Sequence, residues 1–493
     1  MDFPAHSRSI LSTLAVREIE LASADVTPCL MERAGCAAAG MAFDLLAGQE
    51  GCVLVLAGPG NNGGDAYVVA RELLQRGVRI VLVSLADPDR MPHDAAQARS
   101  AWLAAGGQIC RDFIGKQWVL VIDGIFGIGL TRPVEGVYAE WIDRVNAMPC
   151  PVLALDIPSG LDADTGSAPG PVVTASHTAT FIALKPGLMT LDGPDHCGRI
   201  RVFDLDLAVP VSAGREITPA CFAANLRPRR RNVHKGHFGA AGVIGGASGM
   251  TGAGMLAARA ALRLGAGKVF LGLLDDPGFT VDPLYPEIMI RAPGDLHLMA
   301  DALALGPGLG SSDAALQHLR RALTFSGPLV LDADALNLIA EHAALQTLLA
   351  QRQPATVITP HPAEAARLLR ASVASVQADR LASACELASR FRVVAVLKGC
   401  GSVVVTPDRQ WFINTSGNAG MAAGGMGDVL TGLVLALLAQ GWEPGHATLA
   451  AVHLHGCAAD RLVSQGQGPV GLGAGETIDA ARAVFNRWLH CKT

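Results

Sequence analysis

The sequence predicts two α/β domains in series, each built on a largely parallel sheet. Short apolar runs recur that are continuous rather than alternating, such as Val53–Ala57 (VLVLA) and Trp118–Ile122 (WVLVI). Runs of that kind belong to strands covered on both faces. Helical patterns separate them, the rhythm of βαβ units. The rhythm breaks once, over Pro210–His237, which holds Pro210, Pro219, Pro228 and the basic run Arg227–Arg231. A chain of 493 residues is long enough for two large domains at the usual ~150 or more residues each. The expected division is a domain over 1–215, a linker over 216–235 and a second domain over 236–493.

In the first domain, Thr27-Pro28 ahead of Cys29–Leu46 reads as an N-cap followed by proline at the first helical position. Strands follow at Val53–Ala57, Ile80–Leu85, Trp118–Ile122 and Pro151–Leu155, with helices over Asp65–Arg76 and Pro92–Ala105, and the unit closes near Val202–Leu207. In the second, strands are expected at Gly242–Gly245, Lys268–Leu274, Ala302–Leu305, Leu329–Leu331, Val357–Thr359 and Val393–Leu397. Ser402–Thr406 and Gln410–Ile413 flank a Pro-Asp turn and predict a hairpin. The Gly-rich segment Ser416–Gly427 opens into an apolar helix at Asp428.

Composition narrows the class. A formal charge of −5 argues against a nucleic-acid binder led by a basic surface and against a polybasic membrane anchor. The longest strongly apolar stretch, Val429–Ala439, is about half of what a spanning helix needs. Met1–Ile10 has neither the basic flank nor the apolar run of a secretory leader, so a cytoplasmic protein is expected. The 11 cysteines form no CxxC pair and no zinc spacing, which fits scattered reduced thiols.

Three strand ends converge in the first domain. Gly58-Pro59-Gly60-Asn61-Asn62-Gly63-Gly64-Asp65 links a strand to a helix, and its glycines let backbone amides approach a phosphate. It is neither GxGxxG nor a P-loop. Asp123 ends the next strand and leads into Gly127-Ile128-Gly129-Leu130-Thr131-Arg132-Pro133. Asp156 ends a third, ahead of Pro158-Ser159-Gly160. A lone aspartate at such a place is a helix cap; three loops meeting in the crevice of a doubly wound sheet favour a ligand site.

GNNGGD, VIDGIFGIGLTRPVEG and LDIPSGLDADTG together resemble the NAD(P)H-hydrate epimerase family, across about residues 10–210. The resemblance implies a Rossmann-like domain that interconverts the epimers of NADH and NADPH hydrated at C6 of the nicotinamide ring. By position, Asn61, Asn62, Gly63, Gly64, Asp65 and the segment Gly127–Pro133 would hold the dinucleotide, with Tyr138 beside it. Asn62, Asp123 and Ser159 would bind potassium, and Asp156 would act as acid/base on the hydrated ring. Epimerising a carbinolamine-like carbon requires proton transfer, which a carboxylate within reach supplies.

The second domain also gathers loops at its strand ends: Gly245–Ala253, Gly306–Gly310, Asp332–Asn337, Thr359–Glu364 and Lys398-Gly399. Gly424-Gly425-Met426-Gly427-Asp428 opens the apolar helix. Glycines there leave free amides at a helix N-terminus, a pocket for a transferring phosphoryl group, with an aspartate placed to act as base. GxGD at this place resembles the ribokinase-like superfamily. GMTGA, GPGLG, DADALN, TPHPAE, KG and NAGMAAGGMGDVLTG narrow the similarity to the ADP-dependent NAD(P)H-hydrate dehydratases, over about residues 230–485. That family phosphorylates the 6-hydroxyl of the S-hydrate and eliminates phosphate, with Mg2+ accompanying ADP. By position, Ala253, Gly308 and His361 would contact the hydrate. Lys398, Gly399, Cys400, Gly401, Ser402 and Gly427 would hold the adenine nucleotide, and Asp428 would be base and hydrate contact. Ser402 stands where the family often has Thr, which keeps the hydroxyl.

The expected partners are therefore the small molecules NADHX, NADPHX and ADP, in a homo-oligomer that binds neither nucleic acid nor membrane. Two other readings are a ribokinase-like kinase for a small alcohol with a regulatory first domain, and a first domain that is a non-catalytic binding module. Asp123, Asp156 and Ser159 beside GNNGGD disfavour both.

Overall fold

The computed structural model describes residues 7–113, 117–130, 132–210, 214–275 and 280–490. The chain divides into one compact unit over Arg8–Gly214 and another that begins at Arg215.

In the first unit the strands are β1 (Cys52–Ala57), β2 (Arg79–Val83), β3 (Ile109–Cys110), β4 (Trp118–Gly124), β5 (Val152–Leu155), β6 (His177–Phe181) and β7 (Arg199–Phe203). All pair in parallel, in the order β3-β2-β1-β4-β5-β6-β7. Helices α1 (Thr13–Ala22), α2 (Leu30–Leu46), α3 (Asn61–Gln75), α4 (His93–Ala104) and α5 (Val137–Asn146) accompany them. The continuous apolar runs are explained by burial on both faces. Val53 and Val55 of β1 pack into a core with α2 and α3, while Leu54 and Leu56 pack on the other side with Trp141 and Ile142 of α5. Strand order reverses between β1 and β4, so a crevice opens at their carboxyl ends.

Two helix starts differ from expectation. Helix α2 begins at Leu30 with Cys29 as N-cap, because the Arg33 guanidinium takes the carbonyls of Thr27 (3.3 Å) and Pro28 (3.0 Å) and holds them outside the helix. Helix α3 begins at Asn61 rather than Asp65, so GNNGGD is its first turn. A Cβ on Gly63 would lie 2.0 Å from the Gly58 carbonyl oxygen. That glycine serves backbone packing as well as ligand approach.

The second unit holds β8 (Gly214–Glu216), β9 (Ala240–Gly245), β10 (Lys268–Leu273), β11 (Met289–Ile290), β12 (Ala302–Leu305), β13 (Leu329–Leu331), β14 (Thr356–Ile358), β15 (Val394–Leu397), β16 (Val403–Val405) and β17 (Trp411–Ile413). They run in the order β8-β17-β16-β15-β14-β13-β12-β9-β10-β11. The block from β11 to β15 is parallel, and β16 and β17 form the expected antiparallel hairpin. Its helices include α6 (Thr251–Arg263), α7 (Asp313–Leu323), α8 (Ala333–Glu341), α9 (Pro362–Leu369), α10 (Arg380–Phe391), α11 (Met426–Ala439), α12 (Pro444–Ser464) and α13 (Ala474–His490). The apolar helix α11 is buried almost throughout and packs closely on α6, where a Cβ on Gly432 would meet the Ala257 carbonyl at 2.1 Å. Among the described residues no helix is long and apolar enough to cross a membrane, and every described cysteine is free.

The segment expected as a linker is part of the second unit's fold. Arg215 and Glu216 pair with Phe412 and Ile413, Ile217 is fully buried, and a 3-10 turn over Pro219–Asn225 seats the Phe222 ring 5.6 Å from Trp488. Pro219 is the first residue of that turn, where its missing N–H costs nothing. Even the basic run is partly engaged: Arg229 stacks over Phe238 and donates to the Gly265 carbonyl (2.7 Å).

Candidate active sites

In the first unit the site forms where β1 and β4 diverge. Gly60 caps α3 without a side chain, leaving the helix's first amides to the crevice. Asn62 is buried, and neither its Oδ1 nor its Nδ2 has a hydrogen-bond partner among the described residues. Gly127 lies against it, close enough that a Cβ there would stand 3.3 Å from Asn62 Cγ. Asp123, fully buried at the end of β4, accepts through Oδ1 from Ser159 Oγ (2.6 Å) and Ile125 N (3.2 Å), and through Oδ2 from Ser159 N (2.8 Å). The loops after β4 and β5 are thereby clamped together. Burial pushes the Asp123 carboxyl up to about 6 despite these bonds.

Asp156 follows β5 at φ 64°, a left-handed conformation that aspartate tolerates better than most residues. Its carboxylate pairs with the fully buried Lys185, which also donates to Thr180 Oγ1 (2.9 Å) and the Phe181 carbonyl (2.8 Å). Asp65, in the first turns of α3, is held well above the ordinary carboxylate range by burial and by the neighbouring carboxylates of Asp156 and Glu20. Gly127 to Leu130 make a turn closed by Leu130 N donating to Gly127 O (3.2 Å). Gly129 lies near the Arg17 guanidinium, and Arg132 and Pro133 are exposed. Ile128 and Leu130 pack toward opposite cores. Thr131 lies outside the described residues. Tyr138 packs edge-on against Phe126 (5.1 Å) and Trp141 (5.4 Å).

In the second unit the reversal lies between β9 and β12. A Cβ on Gly245 would meet the Pro307 carbonyl at 2.1 Å, and one on Gly308 would stand 3.2 Å from Ala253 Cβ, so two expected hydrate contacts are adjacent. Gly425 caps α11 at φ 89°, placing Gly427 and Asp428 in its first turn. Under Gly427 lies a buried network. Lys398 Nζ donates to Asp332 Oδ1 (2.7 Å) and stands 3.9 Å from Glu364 Oε2, and Thr431 Oγ1 donates to Asp332 Oδ2 (2.8 Å). A Cβ on Gly427 would come within 3.1 Å of that ammonium. Burial opposes the charge on Asp332, but Lys398 and the hydroxyl bonds outweigh it and hold the carboxyl low. Asp428, half-buried, is pushed up to about 6 by burial and by Asp332, with Lys398 opposing.

His361 caps α9. Its Nδ1 accepts from Ala363 N (3.0 Å), and Glu364 Oε2 accepts from His361 N (2.7 Å). Burial and the nearby Lys398 hold the imidazole below its usual pKa, and with Nδ1 accepting from the backbone the neutral ring carries its hydrogen on Nε2. It is thus a helix cap whose other nitrogen, Nε2, stands 3.3 Å from Glu364 Oε1. Between β15 and β16, Ser402 Oγ closes the Lys398–Ser402 turn by bonds to Gly399 N (3.2 Å) and Gly399 O (3.0 Å). Arg380, buried in α10, donates to the carbonyls of Leu397 and Lys398 (both 3.3 Å) from beneath. Cys400 is exposed on the turn and Gly401 sits at φ 63°.

Sequence reasoning did not single out Lys185, Thr431 or Arg380, and took Asp332 and Glu364 only as parts of motifs. Lys185 carried a cue: a basic residue among apolar neighbours, just after the strand His177–Phe181.

Residues 28–187 match the family model described as YjeF-related protein N-terminus, and residues 241–474 that described as NAD(P)H-hydrate dehydratase. The chain is 42% identical to a bifunctional NAD(P)H-hydrate repair enzyme of Escherichia coli (strain K12), across 84% of this chain and 81% of that one. It is 39% identical to a bifunctional NAD(P)H-hydrate repair enzyme of Leishmania braziliensis, across 97% and 94%. Among solved structures, an ADP/ATP-dependent NAD(P)H-hydrate dehydratase from Bacillus subtilis, co-crystallized with ATP and Mg2+, is 32% identical over 53% of this chain and 94% of its own, with a TM-score of 0.48. End-to-end identity at this level, on a chain whose two units each gather the expected motifs in one crevice, makes this protein a member of the bifunctional NAD(P)H-hydrate repair enzymes.

Proposed function

We propose that the first unit interconverts (R)- and (S)-NAD(P)H hydrate and that the second dehydrates the S form to NAD(P)H, consuming ADP and releasing AMP and phosphate. The observation that carries it is the pair of carboxylates, Asp156 and Asp428, each at the carboxyl edge of a separate parallel sheet beside uncapped helix amides. In the first site Asp156 moves the proton that epimerisation requires, with the buried Asp65 near enough that each carboxylate disfavours charge on the other. Asn61 to Asp65 and Gly127 to Pro133 bind the dinucleotide, and Tyr138 flanks it. Asn62, Asp123 and Ser159 hold potassium, an ion that prefers oxygen ligands. The unpartnered, buried amide of Asn62 supports that assignment. Bound there, potassium would supply positive charge next to the dinucleotide phosphates.

In the second site Asp428 takes the proton of the 6-hydroxyl as that oxygen attacks the β-phosphoryl of ADP. Gly427 and the α11 amides cradle the transferring group, with the Lys398 ammonium behind. The ring nitrogen then expels phosphate from C6 and a C5 proton is lost, restoring the double bond. Ala253, Gly308 and His361 position the hydrate. Lys398 to Ser402 hold the nucleotide, and Mg2+ accompanying it would neutralise phosphate charge. The enzyme acts in the cytoplasm as a homo-oligomer in this proposal.

The test is to incubate the protein with mixed R and S hydrates and follow the absorbance of reduced nicotinamide with ADP, with ATP and with neither. Full conversion with ADP is expected. Conversion that stops at the S fraction would remove the epimerase, and none at all would remove the dehydratase.

A further inference from the structure

Lys185 is fully buried, yet an amine in that position is expensive to desolvate unless every proton is matched. Here each is: the three N–H groups go to Asp156 Oδ1, Thr180 Oγ1 and the Phe181 carbonyl. None is left for a substrate. The carboxylate it holds is used asymmetrically. Oδ1 of Asp156 receives Lys185 and lies 3.4 Å from both Thr180 Oγ1 and Phe181 N. No described residue bonds Oδ2, and the Asp156 side chain keeps 12% of its surface open while that of Lys185 keeps none.

The backbone on both sides of this pair is committed to it. Asp156 stands at φ 64° after β5, and Ile182 at φ 68° after β6, in the turn that carries Lys185 toward the site. Left-handed conformations at non-glycine residues persist where the surroundings over-determine them, and they gather at functional sites. Ile182, β-branched, is the costlier of the two. A merely structural ion pair could sit anywhere in the core; this one ties the first residue after one strand to the turn that follows the next, at the carboxyl ends of both.

We propose that Lys185 is the positioning residue of the epimerase site: it pins Oδ1 of Asp156 and leaves Oδ2 as the oxygen that takes a proton from the hydrate and returns it. Lys185 does not touch the substrate and gives up no proton itself. Thr180 is the second anchor, accepting from Lys185 and donating toward Oδ1. The inference rests on Asp156 being the acid/base of the first unit.

The experiment uses the full-length protein and initial rates of R-to-S conversion, with S-hydrate consumption in the presence of ADP as a control on the second unit. Lys185→Met is expected to lower kcat about 100-fold while KM for the R-hydrate stays within about twofold, the pattern of a group needed in the transition state rather than for binding. Lys185→Ala, which opens a cavity the length of the lost chain, should regain about tenfold in kcat with n-propylammonium and none with tetramethylammonium. If Lys185→Met does not fold, judged by its thermal melt, Lys185→Gln carries the same measurement with donors but no charge. Lys185→Met or Lys185→Gln working at wild-type kcat, or raising KM with kcat unchanged, overturns the proposal, as does Lys185→Ala unmoved by n-propylammonium. Asp156→Asn separates the two levels. Full activity in that variant removes Asp156 from the mechanism, and Lys185 with it, whereas an inactive Asp156→Asn beside a fully active Lys185→Met removes Lys185 alone.

Discussion

The two units set a carboxylate at the same place in the same kind of sheet and hold it in opposite ways. Asp156 is gripped directly by a buried ammonium, on a left-handed residue between strand and loop. Asp428 sits in the first turn of a helix with no ion pair among the described residues; the nearby lysine, Lys398, is bound instead to Asp332 and acts on Asp428 through space. Direct grip fixes orientation, as suits a group that passes a proton back and forth at one carbon. A carboxylate left half-buried between an acidic and a basic neighbour is tuned rather than fixed. Its ammonium is then free to sit behind Gly427, where phosphate charge would arrive.

The largest effect expected is loss of one activity with the other intact. Asp428→Ala should lower dehydration by at least about 1,000-fold and leave epimerisation at its wild-type rate. Asp156→Ala should do the reverse, turning the consumption of a mixed hydrate into a fast phase that stops at the S fraction. Time courses on mixed hydrates check both. A single fast phase at full amplitude from Asp156→Ala would leave Asp156 as a turn residue only.

Tuning by Lys398 makes a pH prediction. With its carboxyl raised to about 6, Asp428 is ionised above that pH and protonated below it, so kcat/KM for dehydration should fall on the acid side of about 6. Lys398 opposes the rise, so Lys398→Met should move this limb upward. It also leaves Asp332 buried and unpaired, at a cost of about 3–5 kcal/mol in stability. A limb that stays put in Lys398→Met would break the distinction between a gripped and a tuned carboxylate.

A third expectation concerns where the units part. Phe222→Ala should destabilise the second unit by about 3–5 kcal/mol, because the ring is fully buried against Trp488. A fragment starting at Gly214 should therefore melt higher than one starting at Arg227, which lacks β8, Ile217 and Phe222. Equal melting of the two fragments would restore the segment to the status of a tether.

Much of this was legible in the chain. Continuous apolar runs located the parallel strands because alternate residues of β1 feed separate cores, and glycine runs located the crevices because both lie at strand reversals. The segment after Gly214 was not, because its prolines and arginines mask two isolated apolar anchors, Ile217 and Phe222, whose core partners, such as Trp488, are distant in sequence. Helix α3 was placed too late because Gly58–Asp65 was read as the turn linking strand to helix, whereas Gly63 lies in the first helical turn and packs against Gly58. Lys185 escaped for a related reason. Its partner lies 29 residues away, and spacing along the sequence says nothing about which ammonium a given carboxylate will meet in space.

The smallest effect expected tests how much of the nucleotide turn rests on one hydroxyl. Ser402 Oγ makes its two bonds to Gly399, one accepted and one donated, and so closes the loop from within rather than reaching outward. Arg380 supports the same loop from below through two carbonyls. With that second support in place, Ser402→Ala should cost about 0.5–1.5 kcal/mol, the net worth of such bonds, and weaken ADP binding by about tenfold at most. Ser402→Thr keeps the hydroxyl on the same carbon and should leave ADP affinity within about twofold of wild type. Titration calorimetry with ADP on the three proteins checks this. If Ser402→Ala binds ADP far more weakly than tenfold, the hydroxyl contacts the nucleotide itself, and the second site would then also contain a directly gripped group.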